Sequence, residues 1–365
     1  MTQSFVDKNP VNFWYTDTMM TRTKKQELVI FLTIVGVAAF FRLYLMVPIA
    51  TMGTIISPLI GIFSIIGLYL LTRELFEWRL AAIASYLMAI SFWHVSFSRM
   101  ETKIIIIPFI LVYTFYFLWK GLKHNHQPSF IIAGIFGGLG TYPNLNVQSV
   151  QSSVFNILLG PFIAIVLFIN YWWYLKKDFD HAKYEHAKTK LLQGFVLLAL
   201  TAFVVALPVM INFWQNTEEF FSPIRISASS VVKTLGMFNF SDSPMLLWPI
   251  GVFFVVGFVN ELIHWLKRKH GHFSTVHTFM FAWFFVMLLP GFLSAAVPNA
   301  LLIIGALPVV MIFTARGIWW FFDKLSSWYK MNDPHSIHEA HAVTALVMIV
   351  FLFSIGFMEY WRYFK

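Results

Sequence analysis

Long uncharged runs dominate the chain. A helix of about 20 apolar residues crosses the hydrocarbon core of a bilayer. By that measure the chain offers about eleven spans: Glu27–Val47, Thr54–Leu71, Leu80–Ser96, Ile104–Trp119, Ser129–Thr141, Val154–Tyr174, Leu191–Phe213, Met245–Trp265, Val276–Ser294, Ala300–Phe321 and Ala342–Met358. In lipid, each run must satisfy its own backbone N–H and C=O groups, and a helix does so. The expected fold class is therefore all-α, a polytopic integral membrane protein of about eleven transmembrane helices. The fifth run is short and reads as tilted or re-entrant. Composition agrees, since 58% of the 365 residues are hydrophobic and only 12% are charged, about half the charge of a soluble domain.

The net charge of +9 points to topology and does not suggest nucleic acid. Lys and Arg collect in cytoplasmic loops. An amino terminus inside places most of the 26 basic residues on that side; the exceptions are Arg42, Arg99, Lys103, Arg225, Lys233, Arg362 and Lys365. An odd number of spans then puts the carboxyl terminus outside. The reading divides the chain into a cytoplasmic tail (1–26), a membrane domain (27–358) and a short outer tail (359–365). The polar start lacks the short apolar core of a removable signal peptide. With no cysteine in the chain, a disulfide framework is excluded.

Against scarce outer charge, one cluster stands out. Arg99, Glu101 and Lys103 lie where the third run emerges outside. Arg and Lys bind phosphate through charge-assisted hydrogen bonds, so a phosphate-bearing lipid is the natural partner. The plain alternative is an interfacial pair snorkelling to headgroups. His94 lies about one turn earlier, and Arg42 near the outer end of the first run either faces the same cavity or snorkels. The segment Gln215–Pro244 supplies the outer carboxylates Glu218, Glu219 and Asp242, with Arg225 among them. An acid or base role needs a carboxylate facing substrate; Glu101 and Asp242 are the candidates. Thr141–Ser153, polar and uncharged, suits a sugar or an ordinary loop. Gly134 and Gly138 form a GxxxG pattern suited to close helix packing. Asn239-Phe240-Ser241 matches a glycosylation sequon.

Other chemistries find no motif. His338-Glu339-Ala340-His341 misses the HExxH spacing by one residue, and no metal is expected. No Walker loop, GxSxG or nucleotide-binding glycine fingerprint occurs.

The stretch GLYLLTRELFEWRLAAIASYLMAISFWHVSFSR from Gly67 to Arg99 resembles the third-span region of polytopic glycosyltransferases of the protein-mannosyltransferase and aminoarabinose-transferase type, which share the GT-C fold. Similar matches follow at FFRLY (Phe40–Tyr44), MINFWQNTEEFF (Met210–Phe221), KTLGMFNF (Lys233–Phe240), VMLLPGFLSAAVPNALLIIGALPVV (Val286–Val310) and the terminal FMEYWRYFK. The resemblance implies inverting transfer of a sugar from a polyprenyl-phosphate donor to a lipid, glycan or protein acceptor at the outer face. It implies no certain cofactor, the lipid-linked sugar being a substrate, and a prokaryotic plasma membrane as the location. Arg99 and Asp242 match the family pattern. The family's acidic loop after the first span has no counterpart, since VPIATMGT (Val47–Thr54) holds no carboxylate. The basic and His residues expected after Asp242 and near Pro298 are also missing.

The resulting expectation is a membrane glycosyltransferase that binds the lipid phosphate through Arg99 and Lys103, with His94, Arg42 and Arg225 lining the substrate site and Glu101 or Asp242 as base. Two rivals remain: a non-catalytic relative that binds lipid-linked sugar or scaffolds partners, and a transporter.

Overall fold

The structure, a computed structural model, describes residues 17–44, 52–100, 103–142, 151–178, 181–215, 228–241, 244–267, 272–293, 300–332 and 337–365. All regular structure among them is helical: α1 (Asp17–Leu43), α2 (Met52–Leu75), α3 (Trp78–Ile90), α4 (Phe92–Arg99), α5 (Ile106–His124), α6 (Gln127–Leu139), α7 (Gln151–Asp178), α8 (His181–Gln215), α9 (Ala228–Gly236), α10 (Trp248–Lys267), α11 (His272–Leu293), α12 (Ala300–Ile303), α13 (Leu307–Asn332) and α14 (Ile337–Phe364).

Among the described residues, eight helices are long and apolar enough to cross a membrane, or nine if the bent pair α3–α4 is one span. The apolar stretches Gln127–Leu139 and Phe162–Lys176 fall short. Thirteen residues of α6 rise only about 20 Å, against a core of about 30 Å. Among the described residues the count on length is thus eight or nine, and the expected count of about eleven is not confirmed.

The turns follow from local chemistry. α5 ends at Asn125, the only described non-glycine residue with positive φ (51°), and its N–H closes on the Gly121 carbonyl. Asparagine tolerates this left-handed position. Pro128, in the first turn of α6, restarts the helix where a missing N–H costs nothing.

α6 then lies close against α8. A Cβ on Gly134 would sit 1.8 Å from Thr201 Oγ1 and 2.6 Å from the Leu198 carbonyl, and one on Gly138 would sit 2.8 Å from the Ala202 carbonyl. The GxxxG pattern is a packing face, as expected. Gly257 of α10 and Gly317 of α13 make a second close crossing, where a Cβ on either would meet the other's backbone N at 2.8 Å. α13 is the centre of the bundle: 83% of its apolar window is buried, against 17% for α8 and 11% for α14. The outer helices show lipid-facing side chains such as Leu200, Leu346 and Phe353. Lipid tails are as apolar as these residues, so close packing and polar contacts hold the helices together.

Polar contacts mark the two ends of the bundle. At one end, Arg73 Nε meets Glu27 at 2.7 Å, and Glu74 receives Lys123 Nζ at 3.2 Å. At this same end of the helices, Glu261 of α10 is fully buried between Arg316 Nε at 2.5 Å and His277 Nε2 at 2.7 Å. The opposite end carries the carboxyl end of α1, all of α4 and the last turn of α14.

The third run is not one straight helix, which corrects the single span expected over Leu80–Ser96. Ser91 (φ −54°, ψ 121°) leaves the helical region, and α3 and α4 meet at a bend of 57°. Neither Pro nor Gly stands at the break, so its cause lies in what surrounds it.

Candidate functional site

The break at Ser91 takes the last carbonyls of α3 out of the helical ladder. Arg42, from the last turn of α1, fills that gap. Its Nη1 donates to the Ala89 carbonyl and to its own Ala38 carbonyl, both at 3.0 Å. Its Nη2 lies 2.6 Å from Nδ1 of His94. Both side chains are fully buried. A guanidinium offers only donors, so His94 accepts at Nδ1 and carries its proton on Nε2. Among the described residues that Nε2 has no hydrogen-bond partner. Gly61 of α2 makes room for the pair: a Cβ there would lie 2.9 Å from Arg42 Nε and 2.7 Å from Ser98 Cβ.

The amino end of α4 is held from the other side. Ser91 makes no side-chain cap. Instead Glu359 of α14, 1% exposed, is buried with its carboxyl group near the Phe92 backbone N–H. A carboxylate at a helix amino terminus is favourable. Arg362, one turn on, approaches Glu359 at 3.7 Å, stacks over Phe92 at 4.6 Å and donates to the Pro244 carbonyl at 2.5 Å. Trp93 Nε1 donates to that same carbonyl at 3.2 Å.

Arg99 closes the carboxyl end of α4. Its Nη1 donates to the carbonyls of Phe41 (3.3 Å) and Tyr44 (2.9 Å), which end α1. Its guanidinium lies over the rings of Tyr363 and Phe364 at 5.4 and 5.5 Å, an attractive arrangement for a cation and a π face. Arg99 is half-buried. Ser57 Oγ donates to the Met100 carbonyl at 3.1 Å, fixing the next residue on α2.

Of the residues expected at the site, the structure brings together Arg42, His94 and Arg99. Lys103 opens a short 3-10 turn (Lys103–Ile105) just beyond; its side chain lies outside the described residues, as do Glu101, Arg225 and Asp242. Pro244, two residues after Asp242, is nevertheless pinned to α4 and α14. Arg362 and Glu359 were missed as site residues. Their i, i+3 spacing in EYWR was the available signal. The sequon at Asn239 is not presented as an acceptor: a Cβ on Gly251 would lie 2.2 Å from Asn239 Oδ1, so the amide is packed on α10.

This end of the molecule thus gathers three arginines around one short helix. A family model described as dolichyl-phosphate-mannose-protein mannosyltransferase matches residues 49–212, from before α2 through most of α8. Among solved structures, the oligosaccharyltransferase AglB of Archaeoglobus fulgidus, in complex with an inhibitory peptide and a dolichol-phosphate, superposes with a TM-score of 0.50 at 16% identity, over 84% of this chain and 44% of that one. The chain has a GT-C-type fold. The apo form of the Archaeoglobus fulgidus oligosaccharyltransferase gives a TM-score of 0.49 at 17% identity, with the same coverage. The chain therefore spans less than half the length of these solved structures. Among curated proteins, none matches it. With its apolar helices, the GT-C-type chain is an integral, multi-pass membrane protein.

Proposed function

We propose that the protein is a membrane glycosyltransferase. It moves a sugar from a polyprenyl-phosphate donor to a lipid, glycan or protein acceptor at the outer membrane face. The amino terminus is cytoplasmic and the carboxyl terminus outside, in a prokaryotic plasma membrane.

One observation carries this reading: Arg99 is held half-buried, at the same end of a GT-C-type bundle as Arg362 and the buried Arg42–His94 pair. One nitrogen of its planar fork is tied to α1 and one face to α14. That bracing leaves the group oriented for a phosphate, which Arg recognises through paired N–H groups. AglB, structurally similar over most of this chain, was captured with a dolichol-phosphate. Lys103, four residues on, adds a second cation, and Arg42 and His94 hold the floor. Asp242, two residues before Pro244 in the sequence, and Glu101, two residues beyond Arg99, are the bases. Either would take the acceptor's proton as the sugar leaves the lipid phosphate.

A second reading, a relative that binds lipid-linked sugar without transferring it, is favoured by two features. The connection between α1 and α2, residues 44–51, contains no carboxylate. Glu359, the carboxylate fixed beside α4, is buried against Phe92 and Arg362 and is not placed to receive a substrate proton.

The test is binding of a panel of polyprenyl-phosphate sugars to purified protein, with product followed in the same samples. Transfer that falls at least tenfold in Arg99→Ala supports the first reading. Binding without turnover supports the second. Donor binding and transfer unchanged in Arg99→Ala sinks the assignment of Arg99.

A further inference from the structure

A cavity of about 400 Å³ opens at the far end of the bundle, between the start of α3, the second half of α13 and the start of α14. Arg79 in its wall and Ala89, which contacts Arg42, are ten residues apart along α3, a rise of about 15 Å. The cavity is therefore separate from the candidate site. Its lining combines Arg79 and Asp323 with Trp319, Phe322, Ala345 and Met348.

Three features define what it takes. Arg79 is braced over the rings of Trp78 and Trp319, at 5.5 and 6.0 Å. Asp323 lines the same space, yet among the described residues neither group forms an ion pair with the other or with any third residue. Ser326 and Thr344 add hydroxyls to the lining; the rest of the wall is apolar and runs along α13 and α14, and exposed Trp320 and Trp328 flank it on α13. Tryptophans of this kind settle at headgroup depth.

A cation and an anion that share a cavity without pairing complement a zwitterion. Arginine suits a phosphate. The carboxylate of Asp323 suits an ammonium that can donate N–H bonds. A quaternary ammonium would need a free aromatic face, and Arg79 already occupies that of Trp319. An anionic headgroup without the ammonium would meet Asp323 unfavourably. The apolar wall accommodates the first carbons of an acyl chain. We propose that this cavity is a binding site for an aminophospholipid of the phosphoethanolamine class, phosphate on Arg79 and ammonium on Asp323.

The experiment is native mass spectrometry of the full chain in detergent, equilibrated with equal amounts of phosphatidylethanolamine, phosphatidylglycerol and phosphatidylcholine. The wild type should retain phosphatidylethanolamine several-fold over the other two. Asp323→Asn should abolish the preference over phosphatidylglycerol, and Asp323→Glu should keep it. Arg79→Gln should weaken retention of every phospholipid at this site. Met348→Trp fills the cavity with both charges intact and should also lose the preference. A wild type without headgroup preference, or variants that retain phosphatidylethanolamine like the wild type, overturns the proposal. Displacement of the lipid by equimolar soluble O-phosphoethanolamine overturns the lipid as the source.

Discussion

Arg42 shows how a single residue sets the geometry of this end of the molecule. A buried guanidinium is costly unless its donors are met, and here two carbonyls and His94 Nδ1 meet them. Arg42→Ala removes the donor to all three and opens a void. The expected loss is about 3 kcal/mol, read from unfolding in mixed micelles. His94→Phe should cost a similar amount, and the double variant less than the sum, since the two act on one network. Fully additive losses would mean that the 2.6 Å contact contributes nothing. Arg99 differs because it is half-buried; its replacement should mark donor binding more than stability. Both arginines and His94 were legible in the sequence as rare polar residues at helix ends. That Arg42 pairs with His94 was not, because 52 residues separate them and only the break at Ser91 brings them together.

Helices meet where glycines allow it. Gly134 and Gly137 lie one turn apart on α6 and make a controlled pair. A Cβ on Gly134 collides with Thr201 and Leu198, whereas one on Gly137 finds its nearest neighbour at 3.8 Å. Gly134→Ala should therefore cost about 1–3 kcal/mol as overpacking. Gly137→Ala should be neutral or gain about 0.5–1 kcal/mol from lower backbone entropy. Equal effects on the melting temperature would show that α6 and α8 pack differently. The GxxxG spacing made this contact readable in advance, as apolar length did for most helices. The bend at Ser91 was unreadable: ISFWH holds no helix breaker, and the bend is supported by Arg42 and Glu359, which arrive from the first and last helices.

At the scale of the whole molecule, charge is sorted between the ends. Glu261, Arg316 and His277 join α10, α13 and α11. Glu261→Gln should cost about 3–5 kcal/mol, whereas Glu261→Leu with Arg316→Met and His277→Leu together should recover most of that loss. This triad was not legible in the sequence, because residues on separate helices carry no shared periodicity. Orientation has its own test, made clean by the absence of cysteine. A membrane-impermeant maleimide should label Lys365→Cys on intact cells and Lys24→Cys only after permeabilisation; the reverse pattern would invert the topology. The clamp on α4 also has a temporal side. Arg42 and His94 leave the ribosome early, but Glu359, Arg362, Tyr363 and Phe364 are made some 260 residues after Arg99. At about 5–20 residues per second, α4 waits in the membrane for tens of seconds with its flank uncovered. Until α14 inserts, the arginine end is half-built, so a nascent chain can hold no finished site for a lipid phosphate.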